Sequence, residues 1–154
     1  MAREIERKFL VRDKRYRQLT KPISCRQGYL STAKERIVRV RIESDKAYLT
    51  VKGATNGITR TEYEYEIPPA DAEHILEQLC KKPIIEKDRY EIEYDGMIWQ
   101  VDEFHGPNEG LVVAEVHLDR EDQKITMPEW IDKEVSHEPK YFSSSLVQKP
   151  YSRW

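Results

Sequence analysis

The chain has 154 residues, with 26 Lys+Arg against 28 Asp+Glu and a formal net charge of −2. That length suits one domain with a real core, and the near-balance of charge excludes a nucleic-acid binder that works by bulk basicity. Charged residues are 35% of the chain against roughly 25% in an average domain, and the aromatic content exceeds that of a disordered chain, so the excess charge has to be housed in a fold. No run of 18 apolar residues is present, so no transmembrane helix is expected. The charged start, Met-Ala-Arg-Glu-Ile-Glu-Arg-Lys-Phe-Leu, lacks the apolar stretch of a secretory signal. Cys25 and Cys80 form no CxxC pattern and suggest no disulfide framework. These features lead to the expectation of a cytoplasmic protein with ordinary semi-buried thiols.

Taken in chain order, residues 3–11 read as a strand, and Asp13–Leu19 fits a short helix stopped before Pro22. Residues 24–30 and 35–43 read as strands, followed by a turn at Ser44-Asp45 and the strand Tyr48–Lys52. Asn56-Gly57 is a strong turn signal. Residues 59–67 follow as a strand, ended by Pro68-Pro69. Asp71–Cys80 places Ala72, Ile75, Leu76, Leu79 and Cys80 at helical spacing. Residues 84–94 and 97–104 flank the hairpin signal Asp95-Gly96; Leu111–Leu118 is a further strand, and residues 138–148 fit a short helix. About eight strands joined mainly by tight turns predict an antiparallel sheet or barrel with a few helices, all in a single domain spanning residues 1–154.

Successive side chains of a strand face opposite sides. Glu4, Glu6 and Lys8 therefore share one face, opposite Ile5 and Phe9. Arg39 and Arg41 oppose Val38, Val40 and Ile42; Tyr48, Thr50 and Lys52 oppose Leu49 and Val51. Arg60, Glu62, Glu64 and Glu66 oppose Tyr63, Tyr65 and Ile67. Lys87 and Arg89, Asp102, and Glu115 with His117 follow the same rule. Two readings fit this pattern. One is an open sheet with a solvated outer face of mixed charge. The other is a barrel whose interior is the charged side, with the apolar side covered by helices and by a neighbouring chain. Such an interior is costly unless its charges pair or bind ligands. A polyphosphate with divalent metal would satisfy both signs, since Arg and Lys take phosphate oxygens and carboxylates take Mg²⁺ or Mn²⁺.

The segment Glu4-Ile5-Glu6-Arg7-Lys8 resembles the ExExK signature of the CYTH domain, the triphosphate tunnel metalloenzymes. It is followed in order by Gln27-Gly28-Tyr29-Leu30, Arg39-Val40-Arg41, Leu49-Thr50-Val51-Lys52-Gly53, Arg60-Thr61-Glu62-Tyr63-Glu64, Lys87-Asp88-Arg89, Asp102-Glu103-Phe104, Ala114-Glu115-Val116 and Glu134-Val135-Ser136. The resemblance covers nearly the whole chain, at about the size of compact bacterial members. It implies a mostly β, α+β fold: an eight-stranded antiparallel barrel enclosing a charged tunnel, with a few flanking helices. The activity it implies is divalent-metal-dependent hydrolysis of a triphosphate, foremost inorganic tripolyphosphate to pyrophosphate and phosphate. Thiamine triphosphatase and class IV adenylate cyclase are the enzymatic alternatives. Outside enzymes, a polyphosphate- or nucleotide-binding module and a plain β-protein interaction module compete.

The resemblance also implies roles. Lys8, Arg39, Arg41, Lys52, Lys87 and Arg89 would hold the phosphate chain. Glu4, Glu6 and Glu115 would bind metal, Mg²⁺ or Mn²⁺. Glu62, Glu64 and Asp102 are candidates to activate water or to orient the cations. Tyr29 would close one mouth and position substrate, and the segment after Val135, with Tyr141 and Ser143-Ser144-Ser145, resembles a helix that plugs the tunnel in relatives. One departure stands out: where the family often carries Glu-x-Glu, this chain reads Glu115-Val116-His117. His117 is either a nitrogen ligand, better suited to Mn²⁺ than to Mg²⁺, or a rim residue that binds nothing. His74, His105 and His137 lack metal spacing. Glu91 and Glu93 are expected in solvent, while Trp99, Trp130 and Trp154 are expected in packing or an interface. No nucleic-acid or membrane partner is expected, and the tyrosine-bearing outer side suggests a homodimer.

Overall fold

A computed structural model describes residues 2–154. Its nine strands are β1 (Arg3–Val11), β2 (Ile23–Ala33), β3 (Arg36–Glu43), β4 (Lys46–Gly53), β5 (Thr59–Ile67), β6 (Ile85–Tyr94), β7 (Met97–Phe104), β8 (Val112–His117) and β9 (Ile131–Glu134). Helix α1 (Pro69–Gln78) separates β5 from β6, and α2 (Ser143–Gln148) lies near the C-terminus. The strands run in the order β5-β4-β3-β2-β6-β7-β8-β1, all antiparallel, and β5 returns to pair with β1. That pairing, Arg3↔Thr61, Glu4↔Arg60 and Ile5↔Thr59, closes eight strands into a barrel. β9 adds to β1 as a ninth strand that the alternation pattern did not reveal; four residues are too few for a periodic signal.

The turns follow from local chemistry. Asp95 and Gly96 both take positive φ, 50° and 76°, as the tight type I′ hairpin between β6 and β7 requires. The outward faces are apolar and covered unevenly. Ile5, Phe9, Trp99, Val101, Ala114 and Val116 pack beneath Tyr16 and Trp130, with the Phe9 and Trp99 rings 5.5 Å apart. α1 lays Ala72 and Leu76 on Val40, Ile42 and Ala47. α2 instead sends Leu146 and Val147 against Tyr29, Ile37, Ile85, Phe104 and Val113, and so stoppers one end of the barrel. The C-terminal helix is shorter than its expected span because a 3-10 turn at Pro139–Tyr141 takes the first part.

Trp99 and Trp130 are buried as expected, whereas Trp154 is partly exposed and stacks edge-on against Tyr141 and Tyr151. Glu91 and Glu93 lie in solvent, and both cysteines are buried and free. The outer faces of β4 and β5 keep Val51, Tyr63 and Tyr65 exposed. Among the described residues, no helix is long and apolar enough to cross a membrane.

Gly28 is set on β2 directly beneath α1. A Cβ there would lie 2.8 Å from Ile84 Cδ1 and 2.9 Å from both Cys80 Cβ and Leu76 Cδ2, closer than side chains approach. Gly28→Ala is expected to cost about 1–3 kcal/mol through overpacking. Thermal unfolding should show it as a Tm lowered by several degrees with the secondary structure unchanged.

Candidate active site

Because the apolar residues of each strand point outward, their charged neighbours converge inside the barrel. They line a cavity of about 240 Å³. Its wall carries Glu4, Glu6, Glu62, Glu64 and Glu115 together with Lys8, Arg39, Arg41, Lys52, Arg60, Lys87, Arg89 and His117. The lining comes from all eight barrel strands: β1, β3, β4, β5, β6, β8, through Gln100 β7 and through Tyr29 β2.

Three ligand atoms of Glu4, Glu6 and His117 lie within 4.8 Å of one another. His117 Nε2 is 3.2 Å from Glu4 Oε1 and 3.3 Å from Glu6 Oε2. The register Glu6↔His117 on β1 and β8 brings them together. The hydrogen bonds with Glu4 and Glu6 push the His117 imidazole up to about 10. Burial alone would raise Glu4, but His117, Glu62 and Lys52 hold it far below the usual carboxylate range. Burial opposes ionisation of Glu6 too, and the Lys8 ammonium leads the groups that overcome it. Two hard carboxylates and one imidazole form a donor set that fits a small divalent cation. Glu115 sits beside this trio, opposite Lys8 in the β1–β8 register, with its oxygen 3.4 Å from Lys8 Nζ.

The cations are held by the acids. Lys8 Nζ is 3.1 Å from Glu6, and Lys52 Nζ is 3.0 Å from Glu4 and 3.5 Å from Glu62. Arg39 and Arg41 reach the same Glu64 oxygen at 3.5 and 3.4 Å, and Thr50 Oγ1 donates to it at 2.9 Å. Asp102 accepts from Lys87 Nζ and from Arg89 Nε, both at 2.8 Å, and from Arg89 Nη2 at 3.0 Å. Burial would raise Asp102, yet the Arg89 and Lys87 charges bring it down to about 2. Burial pulls Lys87 down to about 8. Asp102 does not line the cavity; it stands behind Lys87 and Arg89 and aims them inward.

Glu62 differs from the other acids. Burial, followed by its hydrogen bond with Glu4, pushes it up to about 7. Its Oε2 is buried without a hydrogen-bond partner. At the stoppered end, Tyr29 faces the cavity and its hydroxyl accepts a hydrogen bond from Gln27 Nε2 at 3.1 Å. Phe142, Ser143 and Ser144 complete that end. Every residue expected at the site except Asp102 thus lines one cavity. Sequence reasoning gave no role to Arg60, Gln100 or Ser136, which line it too. Strand parity held the signal for two of them, since Arg60 shares a face with Glu62 and Gln100 with Asp102. Of the remaining histidines, His74 is exposed and His105 bonds Asp88 at 3.0 Å, away from the cavity.

Comparison with known proteins agrees with this architecture. Residues 2–151 match the CYTH domain. An inorganic triphosphatase of Acetivibrio thermocellus is 51% identical over 154 residues, covering 100% of this chain and 99% of that protein. An inorganic triphosphatase of Nitrosomonas europaea is 33% identical over 148 residues, 94% and 96% of the two chains. The solved structure of an inorganic triphosphatase superposes with a TM-score of 0.64 at 29% identity, over 96% of this chain and 95% of the other. With that match spanning nearly its whole length, and a closed barrel of inward charge to go with it, the chain belongs to the CYTH domain family.

Proposed function

We propose that this protein is a divalent-metal-dependent triphosphatase that hydrolyses inorganic tripolyphosphate to pyrophosphate and phosphate. One observation carries the reading: carboxylates and cations alternate around a single enclosed cavity, and a polyanion with a divalent cation satisfies both. The two relatives named above as inorganic triphosphatases support the choice of substrate. A pure anion binder would gain nothing from five carboxylates in the same wall.

Phosphoryl transfer needs positioning and charge neutralisation more than covalent help. Arg39, Arg41, Lys52, Lys87, Arg89 and Lys8 hold the phosphate chain, the arginines through planar forks. Glu4, Glu6, His117 and the adjacent Glu115 would hold Mg²⁺ or Mn²⁺, and the imidazole would tilt the preference toward Mn²⁺. A divalent cation held there would supply Lewis-acid neutralisation of phosphate charge. Asp102 orients Lys87 and Arg89, and Glu64 orients Arg39 and Arg41. Glu62, raised toward neutrality and with an Oε2 that accepts no hydrogen bond and meets only the Lys52 ammonium at 3.5 Å, serves as the base. It takes a proton from water as the water oxygen bonds to the terminal phosphorus and the anhydride P–O bond breaks. Pyrophosphate departs with the bridging oxygen. Tyr29 bounds the chain at the closed end.

Phosphate release from tripolyphosphate, thiamine triphosphate and ATP, each with Mg²⁺ and with Mn²⁺, tests the substrate. Tripolyphosphate should be cleaved fastest, Mn²⁺ should match or exceed Mg²⁺, and chelator should stop the reaction. Cyclic AMP made from ATP with little tripolyphosphate cleavage would reverse the assignment. Glu4→Gln and Glu6→Gln should each lower kcat by at least about a hundredfold, within the range for groups that build transition-state electrostatics, while far-UV circular dichroism stays unchanged. Loss of a proton from Glu62 is required for it to act as base, so kcat/KM should climb as pH rises through about 7. In Glu62→Gln that acid limb should vanish along with most of the rate; a limb that survives removes Glu62 from the role.

A further inference from the structure

The oxygens of Glu4 and Glu6 already face cations supplied by the chain itself. Glu4 Oε2 meets Lys52 Nζ at 3.0 Å, and Glu4 Oε1 meets His117 Nε2 at 3.2 Å. Glu6 Oε1 meets Lys8 Nζ at 3.1 Å, and Glu6 Oε2 meets His117 Nε2 at 3.3 Å. Lys8 also reaches Glu115, and Lys52 reaches Glu62, at 3.4 and 3.5 Å. Two ammonium groups thus stand among four carboxylates, and a lone divalent ion finds oxygens of Glu4 and Glu6 already paired. To enter, it must push ammonium groups aside within a wall where Lys8 and Lys52 are nearly enclosed, their side chains 13% and 11% exposed. Like charges crowded there are poorly screened. Phosphate oxygens offer those same ammonium groups a new partner at no such cost.

We infer that Lys8 and Lys52 act as internal counterions that couple the two ligands: the triphosphate draws them off Glu6 and Glu4, and the released carboxylates then take the divalent cation. This rests on the functional reading above and adds an order to it. Metal and polyphosphate fill the tunnel cooperatively, and linkage requires each to raise the affinity for the other by the same factor. The opposite arrangement is a preformed metal site that fills from solution and receives phosphate afterwards. Lysines that do no more than hold phosphate would leave binding of the metal alone untouched.

The test is Mn²⁺ binding to the full chain, followed by the electron paramagnetic resonance signal of free Mn²⁺, with no turnover. It is run with and without methylenediphosphonate, a diphosphate analogue that cannot be hydrolysed, and corrected for the Mn²⁺–diphosphonate complex. The anion should tighten Mn²⁺ binding by about tenfold or more, inside the usual range of coupling. In Lys52→Gln and in Lys8→Gln, Mn²⁺ should bind more tightly without the anion than it does to the native chain, and the gain from the anion should shrink. Equal Mn²⁺ affinity with and without the anion overturns the inference. So does an unchanged metal-alone affinity in both variants, or in whichever one folds. Phosphate release is measured separately, so a failure of coupling leaves the hydrolase reading standing, and a failure of hydrolysis shows in the substrate panel instead.

Discussion

Burying charge is the constraint from which the rest of this structure follows. A carboxylate or ammonium removed from water costs several kcal/mol unless it is paired with good geometry. This barrel places acids and bases inside in nearly equal measure, and each acid is arranged to answer more than one demand. Asp102 is held by three hydrogen bonds from Lys87 and Arg89, and Glu64 by Thr50 and two arginines. The Lys8 and Lys52 ammonium groups each bridge two carboxylates. An interior built this way gains little stability over a hydrocarbon core. Its value lies in a wall where both signs of charge are already gathered at the place a polyanion enters.

Such an interior also reverses the usual arrangement of a small β-protein. The apolar packing that stabilises the fold has to lie outside the sheet, so the barrel needs coverings. Tyr16 and Trp130 cover one side, α1 another, and α2 fills one end with Leu146 and Val147. Where covering is thin, on the outer faces of β4 and β5, Tyr63 and Tyr65 remain exposed. Gly28 shows how tight the coverings are, since the approach of α1 to β2 leaves no room for a methyl group.

Within the cavity, position rather than residue type separates the acids. Glu62 and Glu64 sit two residues apart on one strand with the same side-chain chemistry. One oxygen of Glu64 takes Thr50 and two arginines, while Glu62 is pushed up to about 7 by burial and its hydrogen bond with Glu4, with an oxygen that accepts no hydrogen bond. Asp102, drawn down to about 2 by its two cations, is a fixed support. His117 enters because β8 aligns it with Glu6, which turns a residue of either possible role into a neighbour of two carboxylates.

The sequence by itself determined the strand segments, the hairpin turns and the partition of each strand into an apolar and a charged face. These depend on period-two alternation and on Asn-Gly and Asp-Gly geometry, both local. Parity already grouped Glu4, Glu6 and Lys8, and it put Arg60 beside Glu62. It could not say whether the charged face met solvent or itself, because alternation is identical for an open sheet and a closed barrel. Only the tertiary structure decided that, through the pairing of β5 with β1. Register across strands distant in the chain then set which charges touch: His117 against Glu6, Lys52 against Glu4, Asp102 behind Lys87. β9 and the end-plugging α2 were equally a tertiary matter, since segments this short take their shape from the surface they pack on rather than from their own periodicity.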